Sequence, residues 1–285
     1  MGKLKIAIQK TGRLSEKSME LLKDCGIQFS NGTRKLKTES KNFPVELLFL
    51  RDDDIPQYVE QGVADIGIIG ENEVWEKDKK ISIVQKLGFA NCRMSLAIPK
   101  EETYDDITWF NNKKIATSYP VILNKFLEKH KVQAEIEEIG GSVEIAPGIG
   151  LANAIFDIVS TGSTLLMNGL VEVCVVTESE AVLIAQPSLP QEKQEILQKL
   201  LFRINAVRNS SENKYILLNA PDEAVQRITD ILPGIKSPTI LPLATAGWCS
   251  MHSVIKEDTF WDIIEKLKQA GAEGILVIPI EKMIL

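Results

Sequence analysis

Residues Glu144–Leu165 read EIAPGIGLANAIFDIVSTGSTL, and the rest of the chain is best read outward from them. In the first half Leu151, Ala154, Ile155 and Ile158 fall at i, i+3, i+4 and i+7, one apolar stripe that predicts a helix over 148–159. The second half, Asp157 to Thr164, replaces that stripe with small hydroxyl residues around one glycine. Such a segment aims successive backbone N–H groups and hydroxyls at one point, which holds a phosphate without a buried counter-charge. Gly162 would supply a φ that a β-carbon resists. Asp157, just before the loop, suits an acceptor for sugar hydroxyls, so a sugar phosphate is the expected guest. The competing reading is a plain surface turn, the commonest fate of Ser/Thr/Gly clusters.

Upstream, short apolar strands alternate with helices. Strands are expected over 3–8, 45–50 and 64–69, with helices over 14–25, capped by Ser15 and ended at Gly26, and over 55–61. This βαβαβ order implies a mostly parallel sheet covered on both faces. After an apolar strand at 92–98, the polar stretch 99–112 reads as a crossing into a second lobe. There, a strand at 115–118, a helix at 120–130, a strand at 134–139 and the 148–159 helix repeat the pattern. Strands at 171–176 and 181–185 would lead the chain back. The division expected is lobe I from 1–98 with 178–208, lobe II from 99–177, and a separate unit over 211–285. That last unit follows a long helix over 190–208 and a polar hinge at 209–213. Its order is βαββαβ, which is ferredoxin-like. Two α/β lobes joined by two crossings resemble the periplasmic-binding-protein architecture, with a ligand expected in the cleft.

The chain has 285 residues, enough for two or three domains, and 44% apolar with 25% charged residues is the composition of an ordinary globular protein. The net charge of −6, with no basic block, argues against nucleic acid as a partner. Polyanionic substrates would require locally clustered basic groups, helped by a divalent metal carried on the substrate. No run is long and apolar enough for a membrane helix, and no leader is evident at the start, so a cytoplasmic location is expected. The four cysteines, Cys25, Cys92, Cys174 and Cys249, are far apart and have only two histidines to help them. Reduced thiols are expected rather than a zinc site.

Glu144, Gly150, Asp157, Gly162 and Thr164 taken together resemble the signature of the ATP phosphoribosyltransferase family, in its long form. Further segments resemble the family in the same order: Ala7–Leu14, Arg51–Pro56, Asp65–Glu71, Ala116–Pro120 and Pro238–Pro242. The resemblance spans essentially the whole chain. One position departs from it, because Asn153 stands where the family pattern leads one to expect aspartate. The resemblance implies a two-lobed periplasmic-binding-protein-like catalytic core and a C-terminal ferredoxin-like, ACT-like regulatory domain. It implies transfer of phosphoribose from phosphoribosyl pyrophosphate to N1 of the adenine of ATP, with Mg²⁺ on the substrate phosphates and feedback by histidine. A homo-oligomer, from dimer to hexamer, is also implied.

By the same resemblance Glu144, Asp157, Ser160, Thr161, Gly162, Ser163 and Thr164 would hold phosphoribosyl pyrophosphate. Lys10, Gly12, Arg13, Gly67, Gly70, Glu71, Arg93 and Tyr119 would meet ATP. Arg51 and Arg34 would neutralise the pyrophosphate, a task suited to the bidentate guanidinium fork. Asn219, Thr239, Ser253, Val254 and Gly274 would bind the histidine effector. Several of these residues also have plainer readings. Lys10–Arg13 would serve as the turn leading into a helix, Arg51 would pair with Asp52–Asp54, and Glu144 would be a solvated strand-end charge. No dedicated protein cage for a metal is expected. The two-lobed fold also serves solute receptors, and a hydroxyl-glycine loop also serves transferases that act on free bases. The missing leader argues against the first, and the lack of an acidic pair before the loop argues against the second.

Overall fold

The structure, a computed structural model, describes residues 2–29, 36–232 and 234–285, so Arg34 lies outside the described residues. The chain divides into two compact units, 1–20 with 27–196 and 21–26 with 197–285.

In the first unit, β1 (Leu4–Gln9) leads into α1 (Arg13–Asp24), followed by β2 (Lys37–Glu39), β3 (Val45–Leu50), α2 (Ile55–Glu60), β4 (Ile66–Gly70), α3 (Glu71–Lys77) and β5 (Ser82–Lys86). The chain then runs through β6 (Cys92–Pro99), β7 (Lys114–Thr117), α4 (Pro120–His130), β8 (Glu135–Glu138), β9 (Ala154–Val159), α5 (Ser163–Met167), β10 (Leu170–Ser179) and β11 (Ala181–Ala185). Two sheets result, ordered β2-β3-β1-β4-β11-β5 and β10-β6-β9-β7-β8. In the first sheet β3, β1 and β4 are parallel and β11 is antiparallel to β4. Leu4, Ile6, Ala7 and Ile8 are buried, as are Ile66, Ile68 and Ile69, so these central strands are apolar toward both faces. Phe110 and Phe156 anchor the second core, and burying each contributes roughly 1.5–3 kcal/mol.

The two-lobed α/β architecture is as expected, but four local readings are corrected. Residues 148–159 are not a helix: a single turn of 3-10 helix covers Val143–Ile145, and Ala154–Val159 is β9. β9 lies between β6 and β7, and Ala154, Ile155 and Phe156 are buried in succession. A strand buried on both faces gives a continuous apolar run, which also satisfies helical spacing. Pro147 and Gly150 precede it, and Gly150 has a left-handed φ of 76° that ends any helical run. The second correction concerns the crossing. β6 already pairs with β9 and β10 in the second sheet, so the chain changes sheets between β5 and β6 and not over 99–112; it returns between β10 and β11. Third, α1 begins at Arg13, which places Ser15 inside the first turn and not at the cap. Fourth, the first sheet is parallel only at its centre, and the second is mixed.

In the second unit, α6 (Gln191–Ser211), which starts in the first, runs on without a break, so 209–211 is a last helical turn and not a hinge. β12 (Asn213–Pro221), α7 (Val225–Ile231), β13 (Thr239–Pro242), β14 (Trp248–Lys256), α8 (Glu257–Gln269) and β15 (Glu273–Pro279) follow. The sheet order β13-β14-β12-β15, with every neighbour antiparallel, is ferredoxin-like. Ile228, Phe260 and Leu267 of the helices pack on Ile216, Leu218 and Met251 of one face.

Candidate active site

The loop after β9 is built by its own sequence. Gly162 takes a left-handed φ of 79°, which turns the chain sharply into α5. Ser163 and Thr164 then form the first turn of α5. The Thr161 and Ser163 hydroxyls are 3.0 Å apart, and the Ser163 amide donates to the Thr161 hydroxyl at 3.5 Å. The loop residues Ser160–Thr164 line a cavity of about 180 Å³ together with Glu144, Asp157 and Arg13. All seven residues expected to hold the sugar phosphate are therefore in one place. Arg13, expected at ATP, is there too, at the start of α1 beyond the carboxyl end of β1.

Asp157 is half-buried, and burial, with Glu144 adding to the effect, pushes its carboxyl up to about 6 despite the 2.7 Å bond it accepts from the Ile158 amide. A carboxylate kept short of partners in this way is suited to accept hydrogen bonds from a polyol.

A second cavity, of about 400 Å³, lies where the chain passes between the two sheets and shares Ser160 with the first. Glu71, Arg93, Lys86, Cys92, Ser179 and Glu180 are among its walls. Arg93 donates to both Glu172 oxygens, from Nε at 2.5 Å and from Nη2 at 2.6 Å, and its Nη1 donates to the Ser160 carbonyl at 3.1 Å. The Ser95 hydroxyl donates to Glu172 as well, at 2.6 Å. This fork holds Glu172 below the usual carboxylate range and ties the phosphate loop to β6 and β10. Arg93 thus acts on the loop's backbone, a role the sequence did not reveal because Glu172 is a lone charge in an apolar strand.

The remaining expected residues are spread more widely. Gly67 is buried in β4 of the first sheet, where a β-carbon would come within 2.7 Å of Ile55, so packing alone accounts for glycine there. At Gly70 a β-carbon would meet Asn72 Oδ1 at 2.3 Å, so its place is taken by a protein side chain. Glu71 is buried and pairs with Lys86 at 2.9 Å. Lys10 and Gly12 are exposed at the end of β1. Arg51 is exposed at the end of β3, with Nε 3.7 Å from Asp53, a surface pair of small energetic weight, and it does not line either cavity.

Tyr119 caps α4 on the second sheet and meets Glu73 of α3 on the first. Glu73 is buried, with Asp52 nearby, and its carboxyl is pushed up to about 7. The Tyr119 phenol, half-buried, is held well above its ordinary value by desolvation and by the nearby Glu73 and Asp157. Sequence reading missed Glu73 because ENEVWEK looks like a solvated helix, whereas Glu71, Asn72, Glu73 and Glu76 are all buried.

Asn153 accepts the Lys114 amide at 2.9 Å through its side-chain oxygen, and returns a 2.8 Å bond from its own amide to the Lys114 carbonyl. It joins β9 to β7 at the end remote from the phosphate loop. Of the effector set, Asn219 and Gly274 are neighbours, with a β-carbon on Gly274 falling 3.4 Å from Asn219 Nδ2. Thr239 opposes His252 and Val254 opposes Tyr215 on the face away from the helices. Ser253 lies on the helix-covered face, its hydroxyl without a hydrogen-bond partner among the described residues. The five do not converge on one point. Among the described residues no three His, Cys, Asp or Glu side chains gather as a metal site, and no helix is long and apolar enough to cross a membrane.

Two mixed sheets, with a hydroxyl-glycine loop and the Arg13 start of α1 lining one cavity, define a two-lobed α/β protein. The comparisons with known proteins agree. A family profile described as ATP phosphoribosyltransferase matches residues 51–206, and its C-terminal domain profile matches 210–282. The ATP phosphoribosyltransferase of Bacteroides thetaiotaomicron is 58% identical over 282 residues, covering 99% of this chain and all of that protein. In the solved ATP phosphoribosyl transferase (HisG:HisZ) complex from Thermotoga maritima, one chain is 32% identical, covering 70% of this chain and 98% of its own, with a TM-score of 0.60. A histidine kinase sensor domain with similarity to periplasmic binding proteins shares only the fold, at 9% identity and a TM-score of 0.51 over 73% of this chain and 91% of its own. The chain belongs to the ATP phosphoribosyltransferase family and is an enzyme of the glycosyltransferase class.

Proposed function

We propose that this enzyme transfers phosphoribose from 5-phosphoribosyl-1-pyrophosphate to N1 of the adenine of ATP, releasing pyrophosphate, as the first step of histidine biosynthesis. The observation that carries this reading is the meeting of Arg13 with Glu144, Asp157 and Ser160–Thr164 around one cavity. In this reading the 5′-phosphate lies against the loop amides and the hydroxyls of Ser160, Thr161, Ser163 and Thr164. Asp157 and Glu144 accept from the ribose hydroxyls. Arg13, with Lys10 and Gly12 beside it, meets phosphates from the opposite sheet. The reaction passes through an oxocarbenium-like state that needs no covalent nucleophile. What it requires is alignment, neutralised leaving-group charge and a dry site. Asp157, ionised, stabilises the positive charge that develops on the ribose.

Arg51, exposed at a strand end, is proposed to turn onto the pyrophosphate, and Arg34 is proposed to join it. Magnesium carried on the pyrophosphate would supply further charge neutralisation there, alongside Arg51 and Arg34. Glu71, Arg93 and Tyr119 are proposed to border ATP, a reading supported by the second cavity, which Glu71 and Arg93 line; Gly67 and Gly70 are proposed to let the turn into α3 stay close to it. The second unit is proposed to bind histidine and lower activity, within a homo-oligomer of two to six chains. The test is to mix ATP with phosphoribosyl pyrophosphate and follow near-ultraviolet absorbance, since alkylating adenine N1 changes its spectrum. A rise dependent on both substrates is expected. Turnover of free bases instead, or binding without turnover, would overturn the reading.

A further inference from the structure

α3 sits at the junction of the two sheets in an unusual way for a seven-residue helix. Its Val74 packs with the core of the first sheet, while Trp75 packs with the core of the second. Its polar residues are the buried ones. The Glu71 amide donates to the Glu180 carbonyl at 2.9 Å, and the Asn72 amide donates to the Ser179 hydroxyl at 3.1 Å, both at the return crossing. One turn further on, Glu76 is buried at 8% exposure. Its Oε1 accepts from the Val121 amide and its Oε2 from the Ile122 amide, each at 3.0 Å. Those amides belong to the first turn of α4, whose N–H groups have no partner within their own helix, and Pro120 ahead of them has no N–H to offer. A carboxylate from one sheet's helix therefore caps a helix of the other, with the helix dipole adding to the attraction.

We propose that Glu76 is a positioning residue for the transferase reaction, a latch that sets the register of the second sheet against the first and so holds the phosphate loop opposite Arg13. The connection is short. α4 follows β7, β7 pairs with β9, and β9 ends in the Ser160–Thr164 loop. A rotation of α4 away from α3 moves that loop away from α1. The latch makes no contact with substrate, and it rests on the transferase reading only where turnover is measured.

The test uses the full chain carrying Glu76→Gln, which keeps the shape of the side chain. The carboxamide accepts only through its oxygen and sets an N–H against the second amide, so one of the two bonds is lost and replaced by repulsion. Expected is a fall in kcat of about ten-fold or more, with the affinity for phosphoribosyl pyrophosphate alone changing by less than about three-fold, because that substrate is held mainly by the second sheet. Hydrogen exchange read at individual amides should accelerate at Val121 and Ile122 while Phe126 and Leu127, deeper in α4, stay protected. Glu76→Asp, one methylene too short to reach both amides, should share the exchange signature. Unchanged exchange in both variants overturns the latch, as does accelerated exchange with kcat kept within two-fold of the parent. A parent enzyme that shows no turnover would instead overturn the transferase reading, and the exchange pattern still decides the latch.

Discussion

At Asp157 the chemistry of the site depends on charge. Burial raises its carboxyl to about 6, and its assigned partners, the ribose hydroxyls, are donors that favour the ionised form. Binding should therefore release a proton, and affinity for phosphoribosyl pyrophosphate should strengthen as pH rises through about 6 and then level off. The phosphate titrates nearby as well, so the informative quantity is the difference between parent and Asp157→Asn measured by calorimetry from pH 5 to 8. That difference should grow with pH; a constant gap would remove the carboxylate from the ribose. Glu73 offers a stability measurement with a definite sign. Its folded value of about 7 lies above its ordinary 4.5, so the native state binds more protons than the unfolded chain between those limits. The favourable term is complete below about 4.5 and is lost as pH rises through 7. Glu73→Gln should remove this dependence, gaining on the order of 3 kcal/mol relative to the parent between pH 5 and pH 8, as an upper bound from the size of the shift. Thermal unfolding of both proteins at the two pH values checks it.

Among the elements, the segment β9–loop–α5 has the most to disclose. Gly162→Ala should cost about 1–2 kcal/mol of strain, since φ near 79° is left-handed and no neighbouring atom lies within 4 Å to complicate the reading. The loss should show chiefly as weaker phosphoribosyl pyrophosphate binding, because a loop forced into another φ no longer aims its amides together. At the other end of β9, Asn153 works through one oxygen that accepts the Lys114 amide. A carboxylate there offers the same oxygen, so Asn153→Asp should leave kcat and KM within about two-fold and stability within about 0.5 kcal/mol. A large change in kcat would mean the position reaches the chemistry after all.

For the molecule as a whole, the question is whether the ferredoxin-like unit carries a signal. Asn219 of the interior strand β12 and Gly274 of the edge strand β15 are adjacent, with Gly274 at a φ of 55°, while Ser253 faces the helices. If the unit senses histidine, coupling should fall in the usual range of ~1–3 kcal/mol, and bound substrate must change histidine affinity by the same factor. Gly274→Trp should leave an enzyme that turns over but ignores histidine. A parent enzyme indifferent to millimolar histidine near neutral pH would end the regulatory proposal and leave the catalytic one intact.

Local signals were enough to read much of this protein. The apolar strands 45–50 and 181–185, the Pro120–His130 helix and the hydroxyl-glycine loop all follow from short-range pattern: apolar runs, a proline at a helix start, a glycine where φ must be positive. The residues that line the smaller cavity could be grouped from sequence because most of them are consecutive, so one turn of chain brings them together. Pairing decided the rest. Residues 154–159 satisfy helical and buried-strand spacing alike, and only neighbours on both edges make them a strand. β6 buries Met94, Leu96, Ala97 and Ile98 as the central strands of the first sheet bury their own residues, and nothing within it says which sheet it joins. Glu73 and Glu76 of α3 carry no local signal of their burial; Tyr119 and the amides of α4 reach them from a segment over forty residues away, because a carboxylate's partners are set by the fold and not by its neighbours in the chain.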